Sequence, residues 1–500
     1  MSTPQASTSL DAARRRRDLA EVAERTVDLL VVGGGVTGAG VALDAAARGL
    51  DVCLVEAHDL AFGTSRWSSK LVHGGLRYLA RGEVGLAFES AVERGVLMTR
   101  TAPHLVRALP QLVPLHDKAN DPLVLAGLHA GDVLRRLAGT PSQVLPGPRR
   151  VPAAEALALA PGLRRAGLRG GLLSFDGQLV DDARLVVALA RTAAGLGARI
   201  ITRAEVTRLD GRTAHVVDGL TGESLTIRAN AVVNAAGVWA GRLVDVKLRP
   251  SRGSHLVLDA GALGVGRTAL TVPVPTERNR YALVLPQHDG RVYVGLTDEP
   301  VDGPIPDVPE VPQSDVDFLL DVASSVLERK LTPADVLGSY AGLRPLLDTG
   351  DGPSADLSRR HTVLTEGGVT TVVGGKLTTY RRMAADAVDA TGLTAAKSRT
   401  KSLPLVGSGP LMGSGPSVGS GPLVGSGQAA GPADLVARYG SEACRVAEIG
   451  EFAWAVRHEG ALDADDVLDR RTRIGLVPAE RRAREAEARQ VVADELAALA

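Results

Sequence analysis

The chain has 500 residues, enough for roughly two to four domains and a large buried core, and 45% of its residues are hydrophobic. Lys plus Arg and Asp plus Glu both total 57, so no net charge points to nucleic acid as a partner. The two cysteines, Cys53 and Cys444, exclude a disulfide framework, and no apolar run reaches the roughly 18 residues of a transmembrane helix.

Residues 1–26 read as a polar tail passing into a short charged helix. Arg14 to Arg17 could open a secretory or twin-arginine address, but Asp18 to Glu24 alternate charge with alanine where an apolar segment would be needed. Export is therefore not expected, and reduced, structural cysteines in the cytoplasm are.

From Asp28 to Glu56 the elements come in close order. An apolar run, Leu29 to Val32, leads to Gly33-Gly34-Gly35-Val36-Thr37-Gly38, then a helical stretch ending near Gly49. A second apolar run, Val52 to Val55, delivers Glu56. This is the size and pattern of one βαβ unit with a dinucleotide fingerprint. Gly33 permits the tight turn, Gly35 lets the backbone approach a pyrophosphate, and Gly38 lets the helix pack closely. Glu56 lies 21 residues beyond Gly35, the place of an acid that holds ribose hydroxyls. A carboxylate there repels a 2′-phosphate, so FAD or NAD fits better than NADP.

The next stretch decides between them. Gly63-Thr64-Ser65-Arg66-Trp67-Ser68-Ser69-Lys70-Leu71-Val72-His73-Gly74-Gly75-Leu76-Arg77-Tyr78-Leu79 closely resembles the flavin-contacting signature of FAD-dependent glycerol-3-phosphate dehydrogenases. The resemblance runs with gaps from about Asp28 to Asp389, and more loosely at the C-terminal end. It implies a doubly wound α/β FAD-binding fold like those of glutathione reductase and D-amino-acid oxidase. An antiparallel substrate sheet and a small C-terminal helical domain complete it. It also implies that Thr64, Ser65, Ser69, Lys70, Leu71, His73 and Gly74 meet the cofactor and that Arg77 and Tyr78 reach the substrate.

Further along, Glu83 to Thr101 is helical, and Pro103, Pro110 and Pro114 break it into extended chain. Leu123 to Leu137 reads as a helix, either interfacial with snorkelling arginines or packed on the core, and the core-packed reading is preferred. The glycines around Gly171 to Asp182 suggest a turn, Ala183 to Leu196 an amphipathic helix, and Ala198 to Leu209 one strand. Ala231 to Trp239 reads as a buried strand ending in small residues. In related flavoproteins the strand carrying Val206 lies beside the adenine, and a turn matching Ala236-Gly237 approaches the cofactor. From Val246 to about Pro300 β-formers dominate, with a hairpin signal at Asp289-Gly290, and Ser314 to Lys330 is helical.

Gly374-Gly375-Lys376-Leu377-Thr378 opens a helical run, a form suited to an anion or to the pyrimidine end of a flavin. The family places this loop, with Gly375, Lys376, Leu377 and Thr378, against the cofactor. Pro404-Leu405-Val406-Gly407-Ser408-Gly409 then recurs with variations from Pro410, Pro416 and Pro422, as a flexible linker would. The expected organisation is a tail (1–26), a discontinuous FAD-binding domain (27–110, 168–245 and 336–400) and a substrate domain (111–167 and 246–335). A linker (401–431) and a C-terminal helical domain (432–500) follow.

Oxidising an alcohol on a flavin needs a proton acceptor and fixed positive charge. His255, in a Gly-Ser-His stretch that matches the start of the family's substrate sheet, is the expected base. The resemblance implies that Arg344 orients the substrate and that Arg77, Arg359 and Lys376 hold its phosphate or stabilise charge, with Arg360 adjoining Arg359. The expected activity is oxidation of sn-glycerol 3-phosphate to dihydroxyacetone phosphate with FAD as cofactor. No second dinucleotide fingerprint and no CxxC cluster occurs, so electrons should leave to a diffusible acceptor, a membrane quinone or oxygen, with quinone preferred. Peripheral contact with the inner face of the cell membrane follows from quinone use; a homodimer is compatible with the resemblance, and no metal is expected. The alternatives are a glycerol-3-phosphate oxidase, another FAD oxidase acting on an amine or hydroxy acid, and a non-enzymatic FAD sensor.

Overall fold

A computed structural model describes residues 7–79, 82–116, 121–274, 280–348, 350, 360–409 and 433–499. The chain opens with α1 (Ala12–Glu24), whose N-cap Asp11 accepts the Arg14 N–H at 2.7 Å. The helix is no loose tail: Arg15, Asp18 and Val22 are buried, and Arg15 pairs with Asp218 at 2.6 Å. Then come β1 (Thr26–Val32), α2 (Val36–Ala47) and β2 (Val52–Val55), as the local pattern dictates. Cys53 is buried in β2, and neither cysteine is in a disulfide.

A two-residue strand β3 (Leu71–Val72) and the short helix α3 (Leu76–Leu79) precede α4 (Val84–Val96), β4 (Val106–Leu115) and α5 (Asp121–Leu137). α5 packs on the core along one side only, with Leu134 set against Tyr78, Leu86 and Ala87. Val124, Leu125 and Leu128 are only partly buried, against Val113, Leu115 and Leu172, while Val133 is 52% and Leu137 69% exposed. Its Arg135 does not snorkel but is buried against Asp132 at 2.6 Å.

After β5 (Arg149–Val151) and α6 (Ala153–Leu159), β6 (Gly170–Leu179) replaces the expected turn. Its glycines serve close packing: a Cβ at Gly171 would come 2.4 Å from Leu112 Cδ1, and one at Gly177 would come 2.7 Å from the Val72 carbonyl. α7 (Asp182–Gly195) follows, capped by Asp181. The single strand expected from Ala198 to Leu209 is two, β7 (Arg199–Ile201) and β8 (Ala204–Asp210), separated at Arg203 with φ +54°. The two halves join different neighbours, β2 and the next strand, β9 (Thr213–Asp218).

β10 (Ser224–Asn234) ends in a 3-10 turn at Gly237. Then come β11 (Ser251–Asp259), α8 (Ala260–Leu263), β12 (Ala269–Pro273), the hairpin β13 (Tyr281–Pro286) and β14 (Arg291–Gly295), β15 (Glu299–Pro300), α9 (Gln313–Ser324) and β16 (Gly338–Arg344). The hairpin β17 (His361–Glu366) and β18 (Val369–Gly374) leads to α10 (Tyr380–Thr391). α11 (Ala433–Tyr439), α12 (Ala443–Ile449), α13 (Glu451–Glu459) and α14 (Pro478–Ala498) form the C-terminal helices.

One sheet orders its strands β17-β18-β10-β1-β2-β7, with β18, β10, β1, β2 and β7 parallel. α2, α7 and α10 cover one face through small residues, and a core of Leu29, Val31, Leu185 and Tyr380 fills the layer. The chain moves outward from β1 to β2 on one side and to β10 on the other, so β1 is the switch point at which a crevice forms beyond the carboxyl ends. The second sheet, β15-β11-β14-β13-β12-β4-β6-β3 with β16 on β11, packs α9 against Leu256, Leu270 and Val284. Of the expected linker, Leu405 to Ser408 dock on Thr101 and Thr192; the repeats from Pro410 onward lie outside the described residues.

Candidate active site

Three glycine turns meet at the carboxyl edge of the parallel sheet. Gly33, with φ +110°, follows β1, and a Cβ there would come 2.6 Å from the Ala235 carbonyl at the end of β10. Ala236-Gly237 follows β10, and Gly374, the last residue of β18, and Gly375 after it both take φ +74°. Gly38 lies directly on the first turn, where a Cβ would collide with the Gly33 carbonyl at 1.8 Å.

Gly35 caps α2 in extended conformation and has no side chain of its own to bond the helix end. The Val36 N–H donates to Ser65 Oγ at 2.9 Å. Glu56, at the end of β2, turns back onto the turn: its Oε2 accepts the Gly34 N–H at 2.5 Å and its Oε1 accepts the His58 N–H at 2.9 Å. Burial pushes the Glu56 carboxyl up, and those two donors oppose it. Val206 is buried in β8, and the Ala204 N–H donates to the Glu56 carbonyl at 2.8 Å, so β8 starts beside the acid. A helix N-terminus opened by a glycine, a glycine cradle and an acid at the switch point fit a dinucleotide. Among the described residues the buried indole N–H groups of Trp67 and Trp239 have no partner, and Gly63 lies under the Trp239 ring.

The loop after Gly63 ties this crevice to the second sheet. Thr64 Oγ1 donates to the Leu343 carbonyl at 2.5 Å, and Ser69 Oγ lies 2.8 Å from His255 Nε2. Lys70 departs from its expected place: its side chain turns away into a buried pair with Asp182 at 3.0 Å. Leu71 enters β3, and the Gly74 N–H donates to Asp176 Oδ1 at 3.0 Å, an acid also held by Arg94 at 2.6 Å. His73 lies with its ring centre 6.0 Å from that of Tyr78.

His255 sits in β11 opposite Gly295, where a Cβ would come 2.2 Å from the imidazole. It stacks on Tyr340 with ring centres 4.7 Å apart and planes 9° apart. Burial, then the positive charges of Lys70 and Arg344, push its pKa down to about 3, so the ring is neutral. Arg344 closes β16. Its Nη1 donates to Ser251 Oγ at 3.0 Å and to Asp298 at 3.1 Å, and its guanidinium lies over Gly253. The Gly374 N–H donates to the Pro345 carbonyl at 3.0 Å, which joins Arg344 to the third glycine turn.

Beyond that turn Lys376 donates to Ser90 Oγ at 2.5 Å and lies 3.9 Å from the centre of the Tyr78 ring. Leu377 and Thr378 form the 3-10 turn that opens α10. The structure thus gathers His255, Arg344, Ser69 and the Gly375–Thr378 turn at one edge, with Tyr78 beside Lys376. Arg77 belongs to α3, its side chain is not among those described, and Arg359 lies outside the described residues. Tyr340, Asp176 and Asp182 escaped the reading of the sequence, because each is a single residue whose partners are distant in the chain. Asp176 alone carried a signal, a carboxylate just before Gly177, and it was absorbed into the turn expected there.

The FAD dependent oxidoreductase family model matches residues 28–381. The chain is 53% identical to glycerol-3-phosphate dehydrogenase 1 of Mycobacterium tuberculosis, over 95% of this chain and 96% of that protein. Among solved structures, it is similar to the glycerol-3-phosphate dehydrogenase of Bacillus halodurans complexed with FAD, with a TM-score of 0.75 and 27% identity. That match covers 97% of this chain and 94% of the other. It shares its fold with the L-alpha-glycerophosphate oxidase of Mycoplasma pneumoniae, with a TM-score of 0.58 and 20% identity over 76% of this chain and 99% of the other.

Proposed function

The chain belongs to the FAD-dependent oxidoreductases and, among them, to the glycerol-3-phosphate dehydrogenases, and from that membership we propose that it oxidises sn-glycerol 3-phosphate to dihydroxyacetone phosphate. The observation that carries this reading is a buried His255 on β11, the strand paired with the one that ends in Arg344, at the edge where the glycine turns converge.

FAD, when bound, supplies the acceptor for the hydride that leaves the carbinol carbon. Gly33, Gly35, Glu56 and Ser65 hold its diphosphate and ribose end, and the Gly375–Thr378 turn its flavin end. The hydroxyl proton goes to His255 Nε2, the nitrogen that meets Ser69 Oγ. Arg344, fixed by Ser251 and Asp298, orients the hydroxyl-bearing carbon. Lys376, with Arg77 and Arg359, holds the phosphate, each charge-assisted bond contributing about 1.5–3 kcal/mol. Such bonds separate a phosphate ester from free glycerol, an amine or a simple hydroxy acid.

Electrons then pass to a membrane quinone at the inner face of the membrane. No described helix is long and apolar enough to cross a membrane. What supports surface contact is apolar exposure on two adjacent helices, Val84 and Phe88 on α4 and Val133 and Leu137 on α5.

The test is anaerobic. Glycerol 3-phosphate should bleach the flavin absorbance of the purified protein, while glycerol, amines and hydroxy acids should not. Bound FAD that glycerol 3-phosphate leaves oxidised overturns the proposal. Mixing the reduced protein with a quinone analogue in micelles, and separately with oxygen, then decides the acceptor, and fast reoxidation by oxygen alone makes it an oxidase.

A further inference from the structure

Behind His255 lies a buried charge pair that the reaction as described does not use. Asp182, 1% exposed, opens α7. Its Oδ2 accepts the Ser68 N–H at 2.9 Å and the Ser68 hydroxyl at 2.7 Å, and lies 3.0 Å from Lys70 Nζ. Those contacts grip the residues on both sides of Ser69, whose Oγ meets His255 Nε2. At Lys70 the backbone takes φ +55°, a left-handed conformation that costs a lysine energy and persists only where the surroundings impose it. The ammonium also donates to the Arg66 carbonyl at 2.8 Å and lies 4.7 Å from the centre of the Tyr340 ring. That ring is the one stacked on His255, and its hydroxyl donates to the Ser68 carbonyl at 3.0 Å.

We propose that Asp182 and Lys70 are positioning residues for His255. Asp182 clamps the Ser68–Lys70 turn so that Ser69 meets Nε2, and Lys70 fixes a positive charge behind Tyr340 that opposes a second one on the imidazole. The pair acts through neighbours and touches no substrate. This rests on the reading of His255 as the base. The charged and titratable groups facing the imidazole are Lys70, Arg344 and Tyr340. Those facing Lys70 are Asp182, Asp181, Tyr340, Tyr293 and Arg473. Burial draws the Lys70 ammonium down, and the Asp182 carboxylate 3.0 Å away opposes that shift.

The test replaces the pair by neutral groups of similar shape, Lys70→Met with Asp182→Asn, which leaves Ser68 an acceptor. The purified full chain with bound FAD serves for both readouts. One is the rate of anaerobic flavin bleaching by glycerol 3-phosphate from about pH 4 to 8, a range above the wild-type ring's lowered titration at about 3, so that an upward shift brings the acid limb into view. The other is the titration of the His255 ring nitrogens in 15N-histidine-labelled protein, assigned with His255→Asn.

Loss of the neighbouring charge should move the imidazole titration up by about one pH unit, and the acid limb of the bleaching rate with it. Lys70→Arg, which keeps the charge, should retain the wild-type titration even if the double variant fails to fold, and an upward shift in it would count against the proposal. A folded double variant with the wild-type titration and a rate lowered evenly at every pH overturns it, since that is what mere structural support predicts. Wild-type protein that glycerol 3-phosphate does not reduce overturns the proposed function instead, before any variant is made, and the nitrogen titration still decides the influence of the pair.

Discussion

Lys376 holds its ammonium 3.9 Å from the centre of the Tyr78 ring while it donates to Ser90 Oγ. The turn after β18 thereby places one cation against two elements far away in the chain, α3 through Tyr78 and α4 through Ser90. Removing the charge by Lys376→Met should raise the KM for glycerol 3-phosphate about 10- to 150-fold, the equivalent of one charge-assisted bond of about 1.5–3 kcal/mol. Flavin reduction measured against substrate concentration gives the value, and an unchanged KM removes Lys376 from the phosphate site.

Glu56 accepts two backbone N–H groups from its own turn and from Gly34. Glu56→Gln keeps one acceptor oxygen and loses the charge and the other acceptor. Affinity for FAD should fall about tenfold, the size of one bond to a charged group. Fluorescence titration of the apoprotein with FAD reads this directly. Equal affinity would mean that the acid serves the loop and not the ribose.

The C-terminal helices are locked to the cofactor domain through Asp59, three residues beyond Glu56. Its carboxylate pairs with Arg470 at 2.7 Å and with Arg471 at 2.8 Å, all three groups buried. Asp59→Asn leaves two buried guanidinium groups short of their partner and should cost about 3–5 kcal/mol. A lower melting temperature and faster proteolysis near residues 460–475 are the expected signs. A melt that matches the wild type would show that the pair carries no stability.

Acid should unfold the protein in two stages. Burial lowers His104, with Arg184 adding to it, to about 4, and lowers His255 to about 3, so both are neutral in the fold. An unfolded histidine takes its proton near 6.5, so their contribution is intact above that pH and declines as pH falls below it. Asp59 and Glu459 run against their burial: Arg471 and Arg470 hold the first below the carboxylate range, and Arg184 and Arg191 the second. Their contribution is present above about pH 4 and lost beneath it. Asp466, raised by burial and by Asp59 to about 6, works in the opposite sense, favouring the fold below that value and less above it. Trp454 donates to Glu459 at 3.1 Å, so its fluorescence should report the second stage. Melts that stay level from pH 7 to 3 would contradict this account.

Much of the cofactor half was legible because it is local. β1, the glycine turn, α2, β2 and Glu56 lie within one short stretch, and each residue type has its own reason to be there. The helix over Asp182–Gly195 and the hairpin at Asp289-Gly290 were legible for the same cause. Where glycine serves close approach instead of a turn, the sequence misleads: β6 runs straight through Gly171 and Gly177 because Leu112 and Val72 leave no room for a side chain. The break at Arg203 was invisible, since arginine carries no signal for a positive φ. The apolar pattern of α5 is the same whether a helix faces a core or lies on the surface. The support behind His255 could not be read at all, because Asp182, Tyr293 and Tyr340 gain their meaning only from the pairing of strands far apart in the chain.

The lock on Asp59 also has a meaning for synthesis. Arg470 lies 411 residues further along the chain, so a ribosome has released most of the protein before the first guanidinium partner of this acid exists. Until then the Asp59 carboxylate has water in place of its two arginines, so this contact between the C-terminal helices and the loop after β2 forms only when synthesis is nearly complete.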